Sequence, residues 1–371
     1  MGDPIRVLHV LGGLEAGGAE SFVMNLYRAM DKKQVQFDFV KHNPHKGVFE
    51  DEITSLGGKI YLCPRYTGKN HFVYCKWWND FFAEHPEYHV IHGHVRSTAA
   101  IYLRIAKKHG RITISHSHST SNGKGAAAVV KDLMQLPIRN TADYLFACSD
   151  KAGRWLFGSK ALQRSNYRMI PNGIDLKRFA FDEQKRQEMR SRLGIAENEF
   201  VIGHIGRFTE PKNHKFLVEM FSAYVKQHPN SRLLMVGDGE LFAVVKEQCN
   251  QIGISDKVIL PGSQTNTEDY YQIMDVFAFP SLWEGLGIAV IEAQANGLQC
   301  LLSENVPKEA ILSKKVNVIV LNDMRKWLDT LEMFHIGERV PAEKSLLQYD
   351  VEEEGKKMEQ FYLKQDKRVE Q

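Results

Sequence analysis

Short apolar runs of strand length alternate along the chain with stretches whose apolar residues recur at helical spacing. Ile5–Leu11, Gln36–Lys41 and Lys59–Leu62 read as strands, with helices predicted over Ala19–Met30 and Phe49–Leu56 between them. A helix follows over 71–84, then strands at His89–His92, Ile112–Ser115, Tyr144–Ala147 and Met169–Ile170. Such alternation predicts a parallel sheet covered by helices on both faces. Turn residues PNGID, Pro171 to Asp175, and a polar helix over 182–193 then place a domain junction at 175/176. A second series repeats the pattern. Its strands are Phe200–Ile205, Arg232–Val236, Val258–Leu260, Val276–Ala278, Gln299–Leu302 and Asn317–Leu321; helices are expected over 214–227, 240–252, 268–274 and from 288. The last helix, over 351–364, carries Met358, Phe361 and Tyr362 and is expected to pack on a domain surface. The fold class is therefore α/β, two doubly wound domains in series, with ligands expected at strand carboxyl ends facing the cleft between them.

Length agrees with this division, because 371 residues exceed what one core ordinarily holds. The amino-terminal run is interrupted by Asp3 and ends in glycines, so it reads as a first strand and not as a signal peptide or a membrane span; the protein is expected to stay in the cytoplasm. Five scattered cysteines without a CxxC pair argue against a disulfide framework or a zinc site. Charge is uneven: through Arg178 there are 25 Lys and Arg against 15 Asp and Glu, and beyond it 23 against 30. A basic first half favours an acidic partner such as a nucleotide, a lipid phosphate or an anionic membrane face. Nucleic acid is not favoured, since the basic residues lack the aromatic interleaving of a binding platform.

Candidate chemistry concentrates at a few strand ends. The segment PSLWEGLGIAVIEAQANG, Pro280 to Gly297, sets Glu284 in a glycine-rich turn and Glu292 in an otherwise apolar helix start. A carboxylate there costs free energy unless something hydrogen-bonds it, and the turn at Gly287 aims free N–H groups at whatever lies above the preceding strand. That is a place for a phosphate, although a single first-turn glutamate would be ordinary. After Ile205 comes GRFTEPKN, whose Arg207 and Lys212 can hold a diphosphate and stabilise its charge as it leaves. At the front, Gly12-Gly13 and Gly17-Gly18 flank a turn into a helix, another phosphate-ready loop. Asp38 lies about twenty residues on, as a nicotinamide-dinucleotide site would require; the spacing is not GxGxxG, and Asp38 sits inside an apolar run, so that reading ranks second.

Histidines gather at two strand ends, His92 and His94 in HGH and His116 and His118 in SHSHS, with Ser115, Ser117, Ser119 and Thr120 as polar partners. A packed role is the commoner fate of any single histidine; His118 is the catalytic candidate. A metal is not expected, because no Asp, Glu or Cys lies nearby in sequence to complete a shell. In the 71–84 helix, Tyr74, Trp78 and Phe82 share a face, flanked by Trp77 and Phe81. Such a stripe usually packs in a core; its breadth, with Arg104, Lys107, Lys108 and Arg111 in the same half, also raises a peripheral contact with an anionic membrane.

Taken together, GGAE (Gly17 to Glu20), SHSHS (Ser115 to Ser119), PNGID, GRFTEPK (Gly206 to Lys212), GDGE (Gly237 to Glu240), the PGS turn (Pro261 to Ser263) and E-x7-E from Glu284 to Glu292 resemble the retaining glycosyltransferases of family 4, which have the two-domain GT-B fold. The resemblance covers nearly the whole chain and is nearest to enzymes of bacterial capsular and exopolysaccharide assembly. It implies an acceptor-binding domain over residues 1–175, a donor-binding domain over 176–349, and a terminal helix, about 350–371, packed back on the first. It implies a donor diphosphate held by Arg207, Lys212 and the N–H groups of Gly17, Gly18 and Gly287 with Ile288. Glu292 would take the ribose hydroxyls, Glu284 the transferred sugar, Ser263 and Asn266 the base, and His118, or His116 beside it, the anomeric centre. A nucleotide-sugar, by family practice a UDP-sugar, is then the donor and a saccharide or lipid-linked saccharide the acceptor, with no cofactor or metal required, in keeping with the missing DxD triplet. A nucleotide-sugar epimerase and a non-catalytic subunit of the same fold are the alternatives.

Overall fold

A computed structural model of the chain describes residues 3–15, 17–118 and 126–369, without the side chains of 126–129, 131 and 367–369. Ser119 and Thr120 lie outside the described residues. The chain divides into two compact units, Met1–Ile174 with Tyr349–Gln371, and Asp175–Gln348.

In the first unit, seven parallel strands are β1 (Ile5–Leu11), β2 (Val35–Lys41), β3 (Ile60–Leu62), β4 (Val90–Gly93), β5 (Ile112–Ser117), β6 (Tyr144–Ala147) and β7 (Tyr167–Met169). They run in the order β3-β2-β1-β4-β5-β6-β7. Helices bury both faces, so β2 is covered along its whole length, its polar Gln36, Asp38 and Lys41 included. Leu8, Val10 and Ile91 face a core shared with the helices His71–Glu84 and Arg96–Lys108. On the opposite face Val7, Leu11 and Phe37 pack with Phe22 of the helix Gly18–Ala29 and with Met358, Phe361 and Tyr362 of the terminal helix Val351–Val369. That terminal helix is also tied by polar bonds, Tyr144 Oη to Gln365 Oε1 at 2.9 Å and His89 Nδ1 with Asp366 Oδ1 at 2.8 Å.

The second unit holds six parallel strands, β8 (Phe200–Ile205), β9 (Ser231–Val236), β10 (Val258–Ile259), β11 (Val276–Phe279), β12 (Gln299–Ser303) and β13 (Val316–Ile319), ordered β10-β9-β8-β11-β12-β13. Both sheets are thus doubly wound, as the alternation predicts. The polar helix Glu183–Arg192 has almost no apolar stripe with which to dock. Two of its arginines dock it instead. Arg186 donates to Asp275 Oδ1 at 2.6 Å, Arg190 lies 3.5 Å from Oδ2, and the backbone N–H groups of Val201 and Gly337 complete the shell of this buried carboxylate at 2.8 Å each.

Two readings left open by the sequence are decided by packing. Asp38 is no ribose ligand: it is fully buried and consumed by Arg6 Nη2 at 2.6 Å, Tyr88 Oη at 2.8 Å and Lys59 N at 2.6 Å, which removes the acid that a nicotinamide site needs. The aromatic stripe is core, because Tyr74, Trp78 and Phe82 are fully buried and Phe81 nearly so. Its breadth is used by packing on two sides, against the sheet and against Tyr102 of the neighbouring helix. The helices Arg96–Lys108, Asp150–Phe157 and Met324–Leu331 were not anticipated. Among the described residues no helix is long and apolar enough to cross a membrane.

Removing the Asp275 charge leaves Arg186 and Arg190 buried without their counter-ion. The variant Asp275→Asn should lose about 3–5 kcal/mol from the unfolding free energy of the second unit in a urea titration, and a loss below about 1 kcal/mol would contradict this account.

Candidate functional site

Strand order in the second sheet reverses between β8 and β11, so the connections leaving their carboxyl ends depart to opposite sides and open a space between them. Arg207 and Lys212 lie on the first connection, Glu284, Gly287 and Glu292 on the second. Three bonds stitch the two loops together. Leu282 N donates to Pro211 O at 2.8 Å, Asn213 Nδ2 to Pro280 O at 3.1 Å, and Lys212 Nζ to Glu284 Oε1 at 2.6 Å. Ser281 Oγ donates to the same Oε1 at 2.7 Å, and Lys212 Nζ sits 4.6 Å from the centre of the Phe279 ring. The cation and the acid are therefore pre-positioned and mutually neutralised. Arg207 behaves differently: it is exposed, and its guanidinium forms no hydrogen bond or ion pair among the described residues. Its loop is nonetheless held by the GDGE turn, where Phe208 N donates to Asp238 O at 2.9 Å. Gly237 there has φ 138°, and a Cβ would stand 2.1 Å from Gly206 O, so only glycine allows the approach.

Gly287, at φ 85° and ψ 60°, turns the chain into the helix Ile288–Ala295 with no side chain capping it, which leaves its leading N–H groups for a ligand. Further along that helix, Glu292 accepts from Tyr271 Oη at 2.8 Å. Burial raises the Glu292 carboxyl to about 7, the Tyr271 bond opposing this and Glu268 adding to it. Folded-state protonation above the ordinary carboxyl range means that stability falls as pH rises through about 7 and the buried group ionises. Ligand hydroxyls donating to the carboxylate would offset that cost. Ser263, exposed, and Asn266, bonded to Asp269 Oδ2 at 2.7 Å, follow β10, and no hydrogen bond joins them to the Lys212–Glu284 pair among the described residues.

In the first unit, Gly17 caps the helix Gly18–Ala29 in an extended conformation, its carbonyl accepting from Ser21 N at 2.8 Å. Gly12 serves the fold instead, its carbonyl accepting from the N–H of His42 and of Asn43. Because side chains alternate along a strand, HGH and SHSHS each set two rings on one face. Three adjacent strands then bring five histidines together. His9 Nδ1 lies 3.0 Å from His94 Nε2, His94 Nδ1 2.8 Å from His118 Nε2, His92 Nε2 3.1 Å from His116 Nδ1, and His92 Nδ1 2.7 Å from Tyr362 Oη. Burial, reinforced by neighbouring imidazoles, holds His9, His92, His94 and His116 neutral, well below their ordinary pKa. His118 is lowered to about 3 by burial, partly opposed by Asn172. His116 is fully buried beneath Phe22, whereas His118 keeps part of its surface open.

Several residues of the site escaped sequence reading. Asn213 and Ser281 stand inside motifs that were singled out, so their positions were visible although their bonds were not. Tyr271 had no signal, since only helix packing brings it to Glu292, twenty-one positions away.

Two doubly wound sheets, with a cationic loop stitched to an acidic turn at the strand-order reversal of the second, are the layout of a GT-B glycosyltransferase. The same fold is found in HepE from Anabaena, crystallised with UDP and glucose, at TM-score 0.76 and 16% identity over 96% of this chain and 99% of that one. Residues 16–178 match the family model described as Glycosyltransferase Family 4, and residues 185–329 match Glycosyl transferases group 1. The chain belongs to glycosyltransferase family 4. It is 34% identical over 334 residues to a putative glycosyltransferase, EpsF, of Bacillus subtilis, spanning 88% of this chain and 86% of that protein. It is also 31% identical over 168 residues, 44% of this chain and 43% of the other, to an Escherichia coli UDP-Gal:alpha-D-GlcNAc-diphosphoundecaprenol alpha-1,3-galactosyltransferase. Likeness to a Staphylococcus aureus capsular polysaccharide biosynthesis glycosyltransferase, CapH, is 22% over 82% of this chain and 83% of that one.

In ligand-free protein, Glu292 should titrate near pH 7, and Tyr271→Phe should move it higher still by removing the hydrogen bond that lowers it. Carboxyl 13C shifts, assigned with Glu292→Gln, measure this, and a midpoint in the ordinary carboxyl range would refute the proposed environment.

Proposed function

We propose that the protein moves a hexosyl or N-acetylhexosaminyl group, with retention of configuration, from a UDP-sugar to a saccharide or lipid-linked saccharide during synthesis of a cell-surface polysaccharide. The observation that carries this reading is the Lys212–Glu284 pair, a cation and an acid held at the switch point of the second sheet beside the open helix start at Gly287. The UDP in the HepE crystals and the names of the E. coli and S. aureus relatives support the donor and acceptor classes.

The chemistry asks little else of the chain. Arg207, Lys212 and the N–H groups at Gly287 and Ile288 hold the diphosphate and stabilise the charge that develops as the C1–O bond breaks. Glu292 accepts the ribose hydroxyls, and Ser263 and Asn266 line the base. Glu284, released from Lys212 as the diphosphate takes that cation, contacts the sugar, with His118 at the anomeric carbon. The acceptor oxygen bonds to C1 on the face the diphosphate leaves, and its proton passes to a diphosphate oxygen. Two cations, Lys212 held by Glu284 and the exposed Arg207 on its loop, do the neutralising, so the transfer needs no metal ion.

We also propose a peripheral contact with the anionic inner face of the cell membrane. It rests not on the buried aromatic helix but on Arg104, Lys107 and Lys108, which line a cavity of about 560 Å³ in the first unit. Exposed Val130, Leu133 and Leu136 lie on the adjoining segment.

A panel of UDP-hexoses and UDP-N-acetylhexosamines, offered with lipid-linked sugar acceptors, should yield transfer that Arg207→Ala or Lys212→Ala each lowers about 10²–10³-fold in kcat/KM. Undiminished transfer in both variants would sink the assignment, and acceptor-independent conversion of UDP-N-acetylglucosamine would indicate an epimerase instead. Co-sedimentation with phosphatidylglycerol vesicles should weaken as salt rises and fall in Lys107→Glu/Lys108→Glu; absence of binding at low salt removes the membrane contact.

A further inference from the structure

The five histidines of the first unit contain more nitrogen than hydrogen bonding among them can satisfy. His9 Nε2 and His116 Nε2 are buried without a hydrogen-bond partner, and His118 Nδ1 and Asn172 Oδ1, buried near each other, fall short of hydrogen-bond geometry. Unpaired polar atoms of this kind cost free energy and mark a place where something else binds. One ring nitrogen from each of His94, His116 and His118 falls within 4.8 Å of the other two.

Proton placement sharpens this. If His94 offers its Nδ1 lone pair, its proton sits on Nε2, which faces His9 Nδ1 at 3.0 Å. If His116 offers Nε2, its proton sits on Nδ1, which faces His92 Nε2 at 3.1 Å; His92 then carries its own proton on Nδ1, toward Tyr362 Oη at 2.7 Å. If His118 offers Nε2, its proton sits on Nδ1, on the side of Asn172, whose carbonyl oxygen has no donor. One set of tautomers therefore frees one lone pair on each of the three rings and gives each ring an acceptor for its N–H; the His116 and His118 rings stack 4.0 Å apart at 26°, so one of them must turn before both lone pairs reach one ion. That outward bond is what orients and strengthens a metal-binding imidazole.

We propose that His94, His116 and His118 form a binding site for a zinc-class divalent transition ion, with His9, His92 and Asn172 holding the three rings in their binding tautomers. The donor set is all imidazole, which suits zinc, cobalt, nickel or copper and not magnesium, calcium or manganese. Three nitrogens around a tetrahedral ion at about 2.0–2.1 Å stand about 3.4 Å apart, so the 2.8 Å contact between His94 Nδ1 and His118 Nε2 must open by a swing of the His118 ring. It can do so because it stands at the carboxyl end of β5 with part of its surface open. The fourth position is left to water or another small ligand. The consequence for catalysis rests on the reading of His118 given above: an ion held by His118 takes it away from the anomeric carbon, so the metal inhibits transfer and a chelator restores it.

Cobalt(II) added alone to chelator-treated protein tests this. One equivalent should bind with the visible bands of a tetrahedral nitrogen site, His118→Ala should abolish those bands, and Asn172→Ala should weaken binding about 10–100-fold. His118 is partly exposed, so the variant folds, and its circular dichroism checks that it has. Absence of stoichiometric binding overturns the proposal. So does binding that survives His118→Ala and disappears in Cys75→Ser, which would place the ion at the helical pair His71 and Cys75, 3.6 Å apart. Cobalt binding lost in His118→Ala but without inhibition of transfer would leave the metal site standing and remove the catalytic role of His118. Active transfer without cobalt binding would do the reverse.

Discussion

Parallel strands cannot be joined by hairpins, and that constraint organises everything else in this chain. Each strand must return to the starting edge through a crossover, so the thirteen strands among the described residues deliver their carboxyl ends to one side of their own sheet. Polar loops collect there while both faces stay apolar. Where strand order reverses, at β8 and β11 in the second sheet and at β1 and β4 in the first, successive connections part and leave room. Lys212 and Glu284 stand at one reversal, and the histidines lie on β1, β4 and β5 and just beyond the last two, at and beside the other.

Burying polar groups among apolar layers is the recurring difficulty, and the chain meets it in different ways. Asp38 and Asp275 are enclosed and completely satisfied, each by arginine and by backbone N–H, and so belong to the fold. Glu292 is different: one hydroxyl reaches it, its pKa is driven up to about 7 by burial, and further donors would be welcome. The histidine cluster stays neutral, with nitrogen atoms left over. Full satisfaction marks Asp38 and Asp275 as structural, and partial satisfaction makes Glu292 and the histidines candidates for a ligand.

Motif residues and fold were legible for separate reasons. Arg207, Lys212, Glu284, Gly287 and Glu292 could be read because local turn chemistry and helix onset dictate their environment within a few residues. Asp38 misleads when read the same way, since its spacing fits a dinucleotide acid and only distant partners, Arg6, Lys59 and Tyr88, show that it is occupied. The stripe of Tyr74, Trp78 and Phe82 carried the correct helix, but a helix pattern reports which face is apolar and not how many neighbours cover it. Tyr102 supplies the second neighbour, from the helix Arg96–Lys108.

The sequence by itself determined the alternation of strands and helices, hence two doubly wound sheets, and the residues at their strand ends, because both follow from periodicities of two and 3.6 and from turn residues acting locally. Tertiary structure alone decided which of those residues meet. The Lys212–Glu284 bond spans seventy-two positions and the His94–His118 bond twenty-four. Strand order sets such distances, and strand order is chosen by packing the whole sheet, a property that no window of sequence contains.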